Sequence, residues 1–324
     1  MNPSRWLKRC VTIGSVLLAS LAMAAGYPER PIRLIVPYPP GGSVDILART
    51  IAEPLGQALG QPVVVEDKGG AAGNIGSYMA ATAPADGYTL VLGTQSTHGT
   101  NKLLIKDTPY DPLKDFAPIT MIASAPLLLV VNPEVPAHDV QSLITYIKAQ
   151  KGGVSFASAS TGGGGHLAGE LFKQTTGLDM VHVPYKGSGP ARADLIAGHV
   201  PMSFDNIGSS LPAVQGGQLR ALAVTSAQRS AVAPEIPTMA EAGMPNFVID
   251  TWYALYAPAN TPKPIIDRLN TEVVRILQGP EAAKRLHALG MDVVPSTPEA
   301  LHQRMVADMA TYKRVIDAAR IEPQ

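Results

Sequence analysis

Glycine-rich turns that follow short β-rich runs and open helical ones carry the clearest chemistry in this chain of 324 residues. The first is Pro39-Pro40-Gly41-Gly42-Ser43-Val44-Asp45, with Ser43 as the expected N-cap and Asp45 in the first helical turn. The second, residues 158–166, holds four successive glycines before His166, and such a run costs conformational entropy that an ordinary turn need not spend. The first turn of a helix presents unpaired N–H groups and a partial positive charge, so both turns suit an anion. The loops at 37–45, 69–76, 93–99 and 158–166 contain no Arg and no Lys, and only Lys186 brings a cation near them. An anionic ligand would therefore be neutralised by backbone amides and bridging water. The candidate ligand contacts are Tyr38, Gly41, Gly42, Ser43, Asp45, Asn74, Gln95 and Ser96 from the first set of loops. From the second set they are Ser158, Ser160, Gly164, Gly165, His166, Tyr185, Lys186 and Asp205.

Other chemistries fare worse. The chain has no Gly-x-Ser-x-Gly elbow, no Gly-Lys dipeptide of a phosphate loop and no His-Glu-x-x-His. Gly163-x-Gly165-x-x-Ala168 is a degenerate dinucleotide fingerprint, but the next strand ends in Pro184-Tyr185-Lys186 where an acidic residue would grip a ribose. No cofactor is expected. His98 and His166 fall in cleft loops without an acidic neighbour at ligand spacing, so no metal site is expected either. Asp205-Asn206 could be catalytic or could orient a ligand amine, and the second reading is preferred. With one tryptophan outside the first two dozen residues, Trp252, sugar stacking is not favoured.

The elements that must position these loops alternate short strands with helices, the pattern of an α/β fold with mostly parallel strands. Strands are expected at Ile32–Val36, 62–66 and 88–92, then at 127–131, 154–157, 180–183, 200–204 and 247–257. Helices are expected from about Ser43, around Ile75, Tyr78 and Met79, and at 140–150, 166–174, 262–277 and 298–319. The last should pack back on the first lobe. Each early strand ends in a loop of Gly, Ser, Thr or Asn, and open α/β sheets bind ligands beyond the carboxyl ends of their strands. Two such sets make a cleft between two lobes, expected at 26–125 plus 246–324 and at 126–245.

The remaining composition narrows the class. Lys plus Arg equals Asp plus Glu at 26 each, and 46% of residues are hydrophobic, which excludes a disordered chain or a basic nucleic-acid binder. Arg5, Lys8 and Arg9 precede an apolar run at 11–22 that is too short to span a bilayer and ends in Ala22-Met23-Ala24. Residues 1–24 therefore read as a secretory signal, whose removal leaves 23 basic against 26 acidic residues. The lone Cys10 lies inside it, so the exported chain forms no disulfide. A soluble periplasmic monomer is expected.

With these motifs in place, the chain resembles the Bug family, the periplasmic solute-binding receptors of tripartite tricarboxylate transporters. The resemblance rests on Val36-Pro37-Tyr38-Pro39-Pro40-Gly41-Gly42-Ser43-Val44-Asp45, Gly73-Asn74-Ile75-Gly76 and Ala85-Asp86-Gly87-Tyr88-Thr89. It continues through Gly165-His166-Leu167-Ala168-Gly169-Glu170-Leu171-Phe172, Val183-Pro184-Tyr185-Lys186-Gly187 and Phe204-Asp205-Asn206. Glu66-Asp67-Lys68-Gly69 departs from the usual Glu-Asn-Arg-Pro, and Lys102 stands where a proline is usual. The resemblance implies a two-lobed "Venus flytrap" that closes on a small carboxylate (an amino acid, a di- or tricarboxylate or an aromatic acid) without catalysis. It also implies membrane components of the transporter as partners. The alternatives are a periplasmic hydrolase or isomerase of carboxylic acids using His166 or His98 as base, and a surface interaction protein without a small ligand.

Overall fold

The computed structural model describes residues 26–323, so the expected signal at 1–24 lies outside it. Three parallel strands begin the fold: β1 (Ile32–Val36), β2 (Val63–Asp67) and β3 (Thr89–Thr94). β1 lies between the other two, with Leu34 opposite Val65 and Leu90. The crossovers carry α1 (Ser43–Leu59) and α2 (Asn74–Ala81), and α3 (Asn101–Leu104) follows β3. Next comes β4 (Phe116–Val131), sixteen residues long, and then α4 (Val140–Ala149), β5 (Val154–Ser158), α5 (Gly164–Thr176) and β6 (Met180–Pro184). The chain continues through α6 (Ser188–Ile196), β7 (Met202–Asn206), α7 (Ile207–Gln215) and β8 (Arg220–Val224). It returns by β9 (Asp250–Pro258), α8 (Lys263–Leu277), α9 (Pro280–Ala288), β10 (Asp292–Val293) and α10 (Pro298–Ala319).

The strands run in the order β2-β1-β3-β9-β4-β7-β5-β6, with β10 and β8 also paired to β4. The first half of β4 pairs with β9, ending at Pro126 opposite Asp250, and the second half pairs with β7 from Leu127 opposite Asn206. Pro126 thus sits where β4 changes partners, the place where a strand best tolerates a residue with no N–H to donate. The expectation of mostly parallel strands is corrected: β1–β3 and β5–β7 are parallel within each set, but five of the nine ladders are antiparallel because β4 and β9 carry the chain across and back.

This polarity places the loops. β3 runs antiparallel to β9, with Thr94 opposite Tyr253 near the start of β9, so the carboxyl end of β3 points toward the crossing. Asn206, at the carboxyl end of β7, lies opposite Leu127 just past the same crossing. The carboxyl ends of both parallel sets therefore face each other over β4 and β9.

Each lobe has its own core. Leu47, Ile51 and Leu55 of α1 pack with Ile265, Leu269 and Val273 of α8 over one face of the first sheet. In the second lobe Phe156, Phe172, Phe204 and Phe247 lie together. Contrary to expectation, α10 does not pack on the first lobe alone. Leu301 and Met305 join Trp252 and Tyr256 in the first lobe, whereas Tyr312, Val315 and Ile316 join the second-lobe core. The helix is 22 residues long, about 33 Å at 1.5 Å per residue, enough to reach both.

Candidate functional site between the lobes

On the first-lobe side the N-cap of α1 is Gly42 and not Ser43, with extended backbone (φ −78°, ψ 168°) and no side-chain cap. Ser43 is the first helical residue instead. The amides of Ser43, Val44 and Asp45 all precede the first intrahelical bond, from Ile46 N–H to Gly42 O. Asp45 is 4% exposed and works locally: its Oδ2 accepts the Gly41 N–H at 2.8 Å, and Oδ1 lies 2.6 Å from Arg49 Nε. Gly41 itself needs the left-handed region, φ +82°.

Behind this turn stands a polar network. The Tyr38 hydroxyl lies 2.8 Å from Thr94 Oγ1, and Thr97 Oγ1 accepts from the Thr94 N–H at 3.0 Å. Asn74 is buried with its Oδ1 already accepting from Asn101 Nδ2 at 2.8 Å and from the Tyr110 hydroxyl at 3.0 Å. Gln95 is buried too, while Ser96 is half-buried and faces the cleft. Burial raises the Tyr38 and Tyr110 hydroxyls above their usual range, Tyr110 to about 12, so both stay protonated donors.

His98 is not in the cleft. It is fully buried behind it, stacked on Tyr256 at 4.2 Å and beside Phe116 at 4.5 Å, and burial lowers its imidazole to about 3. A neutral ring with Nδ1 on Thr97 Oγ1 at 2.9 Å is a core residue that no substrate reaches.

On the second-lobe side α5 likewise starts from a glycine, Gly163, with φ −73°, ψ 168° and no side-chain cap. The amides of Gly164, Gly165 and His166 precede its first bond, Leu167 N–H to Gly163 O. The four glycines have unequal reasons. A Cβ on Gly165 would strike Phe204 O, and one on Gly162, at φ +73°, would meet Leu104 of α3 across the cleft. A Cβ on Gly164 would meet only Leu127 and Thr251 at 3.7 Å, ordinary contact distance, so packing does not demand glycine there.

Ser158 Oγ donates to Ser160 O at 2.9 Å, and Ser160 is exposed at the cleft mouth. The Tyr185 N–H bonds Ser158 O at 2.9 Å, tying the two second-lobe loops together, and its hydroxyl donates to Asp194 at 2.7 Å. Lys186 is exposed. Asp205, 7% exposed, accepts from the Ser188 hydroxyl at 2.7 Å and the Ser210 hydroxyl at 2.6 Å, so it ties α6 to α7.

The cleft between these loops encloses about 300 Å³ and is lined by Tyr38, Ala72, Ser96, Ser160, Thr161, Gly162 and Gly163. Residues missed by the sequence reading also line it: Thr100, Asn101 and Leu104 after β3, and Ile321 and Glu322 beyond α10. A larger hollow of about 660 Å³ lies against Arg49, Glu53, Gln57 and Pro62, at the amino end of β2, away from the strand-end loops. Among the described residues no group of three His, Cys, Asp or Glu could hold a metal ion, and no helix is long and apolar enough to cross a membrane.

Two lobes joined by crossing strands, with strand-end loops facing over a small cleft, define a two-lobed solute-binding protein. The chain belongs to the TctC family, the tripartite tricarboxylate transporter family receptors, whose profile matches residues 47–321. It is 41% identical over 301 residues to Protein BugT of Bordetella pertussis, covering 92% of each chain. Among solved structures, it is 37% identical to a Rhodopseudomonas palustris protein with adipate, with a TM-score of 0.72, covering 92% of this chain and all of that one. MatC from the same species with bound malate is 32% identical with a TM-score of 0.68, covering 90% of this chain and all of that one. A TctC solute-binding protein from Polaromonas with no ligand is 28% identical with a TM-score of 0.83, covering 90% and 99%. The family is one of solute receptors.

Proposed function

We propose that the protein is a periplasmic receptor that closes its lobes on a small carboxylate and presents it to the membrane components of a tripartite tricarboxylate transporter. One observation carries the reading: α1 and α5 each start from an uncapped glycine, leaving three unpaired amides apiece beside strand-end loops near which Lys186 is the one cation. Such helix starts favour an anion without an ion pair. The lobes divide as 26–125 plus 246–324 and 126–245, except that the C-terminal half of α10 packs in the second-lobe core. The contacts fall into two groups, the turn at Gly41–Ser43 with Tyr38 and Ser96, and the turn at 158–166.

Relatives solved with adipate and malate support a carboxylate as the ligand class. Binding then proceeds by closure of one lobe onto a ligand held by the other. The protein works as a monomer, freed of residues 1–24. An enzymatic reading draws little support, since His98 is inaccessible and His166 Nδ1 is occupied by the Gly162 N–H at 2.8 Å.

Native mass spectrometry of protein purified from the periplasm tests this. A retained carboxylate, recovered unchanged after incubation, is the expected result. Conversion of the acid that stops in His166→Ala would replace the receptor with an enzyme.

A further inference from the structure

The second-lobe turn rests on a pair of histidines whose rings stack at 3.6 Å between centroids and 10° between planes: His166 of α5 and His182 of β6. His166 is the third residue of its helix, the position from which a capping-box Glu or Gln reaches back to the N-terminal amide. Here Nδ1 accepts instead the N–H of Gly162, the residue before the N-cap Gly163, at 2.8 Å, so the imidazole ties the loop down one residue ahead of a capping box. His182 Nε2 lies 2.6 Å from Ser158 Oγ. That hydroxyl spends its proton on Ser160 O, so His182 is the donor. One ring thus fixes the 158–160 arm of the loop and the other fixes the 162 arm.

We propose that the His166–His182 pair positions the anion-binding turn as an uncharged cap, keeping its amides aimed at the ligand while adding no negative charge beside them. A glutamate at position 166 would tie the same loop but set a carboxylate against the groups that hold the ligand's own. The pair is kept neutral by its surroundings. Burial lowers both imidazoles to about 4, and the neighbouring His182 and Lys173 add to the effect on His166. Glu170, one turn further along α5, is engaged by Lys173 at 3.9 Å.

The inference rests on the carboxylate reading, and the test separates the two. His166→Gln, His166→Glu, His182→Gln and His182→Phe are compared with the wild type by calorimetric titration of adipate, malate, citrate, glutamate and nicotinate at pH 7.5, with melting curves in parallel. Gln and Glu are nearly isosteric, and both offer an oxygen to the Gly162 N–H, so His166→Gln and His166→Glu should melt alike. The expected result is that the Gln variant stays within about threefold of wild-type affinity while the Glu variant loses at least tenfold. His182→Gln, which can still donate to Ser158, should hold affinity, whereas His182→Phe, which keeps the stack but not the donor, should lose it. Equal affinities of His166→Gln and His166→Glu, or of His182→Gln and His182→Phe, would overturn the neutral-cap assignment while leaving the receptor standing. Failure of the wild type to bind any of the five acids would overturn the carboxylate reading and this inference with it.

Discussion

At the scale of single residues, the glycines of the two turns separate by what surrounds them. Val at Gly42 or Gly164 places its Cβ no nearer than 3.7 Å to any neighbour, so the fold should accept it while its methyls screen the amides. Gly42→Val and Gly164→Val should weaken ligand binding at least tenfold, about 1.4 kcal/mol, with little change in the melting of the free protein. Gly165→Ala should behave the opposite way, costing about 1–3 kcal/mol of stability because its methyl drives into Phe204 O. Calorimetry and denaturant unfolding on the three variants decide between these roles. The turns were legible in the sequence because glycine runs after strands are rare and costly. The roles of Asn74 and Asp205 were not, since they spend polar atoms on Asn101 and Ser188, partners that only the fold brings near, and Asp45 is taken up by the Gly41 N–H and Arg49 of its own turn. His182 sits in a strand, 24 residues beyond the Ser158 it bonds, with no local pattern to mark it.

Buried neutral histidines also set an acid limit. The unfolded imidazole titrates near 6.5, while His98 is lowered to about 3 in the folded protein by burial. Its contribution is whole above pH 6.5 and is lost as pH falls toward 3. Stability should therefore drop between pH 6.5 and 4, each such histidine adding up to about 1.4 kcal/mol per pH unit to the slope. Urea unfolding at several pH values should show that slope reduced in His98→Gln. An unchanged slope would mean that His98 is not held neutral.

At the scale of elements, β4 and α10 do most to join the lobes, and they differ in how well the sequence announced them. α10 begins at Pro298 and ends at Ala319 as its apolar spacing indicates, with Thr297 accepting the Ala300 N–H as N-cap. The first half of β4 escaped notice because its residues are buried on both faces, which erases the alternation that marks a strand, and because Pro118 and Pro126 interrupt it. β8 was missed in the same way, its Leu222, Ala223 and Val224 all being buried. What locks α10 to the crossing is invisible to periodicity: Arg304 bridges Asp250 of β9 and Asp308, and Asp308 also takes the Trp252 indole N–H at 2.8 Å. Removing the guanidinium leaves two buried carboxylates facing each other. Arg304→Ala should cost about 3–5 kcal/mol, against at most about 0.5 for Lys313→Ala, whose partner Asp317 lies in solvent on the same helix. Denaturation midpoints of the two variants measure the contrast, and similar losses would contradict it.

At the scale of the whole molecule, strand polarity alone brings two sets of loops face to face, and the absence of Arg and Lys from those loops decides how a ligand's charge is met. An acid held by amides at buried helix starts differs from one held by exposed lysines in two ways: it depends on the carboxylate itself, and it responds weakly to salt. The most direct measurement is therefore isothermal titration of a bound acid from the panel and of its amide, each at low and high salt. The account predicts strong binding of the acid with only a modest loss in high salt, and much weaker binding of the amide. Equal affinity for acid and amide would show that no carboxylate pocket exists between the lobes, and a steep salt dependence would move the site to an exposed cation such as Lys186.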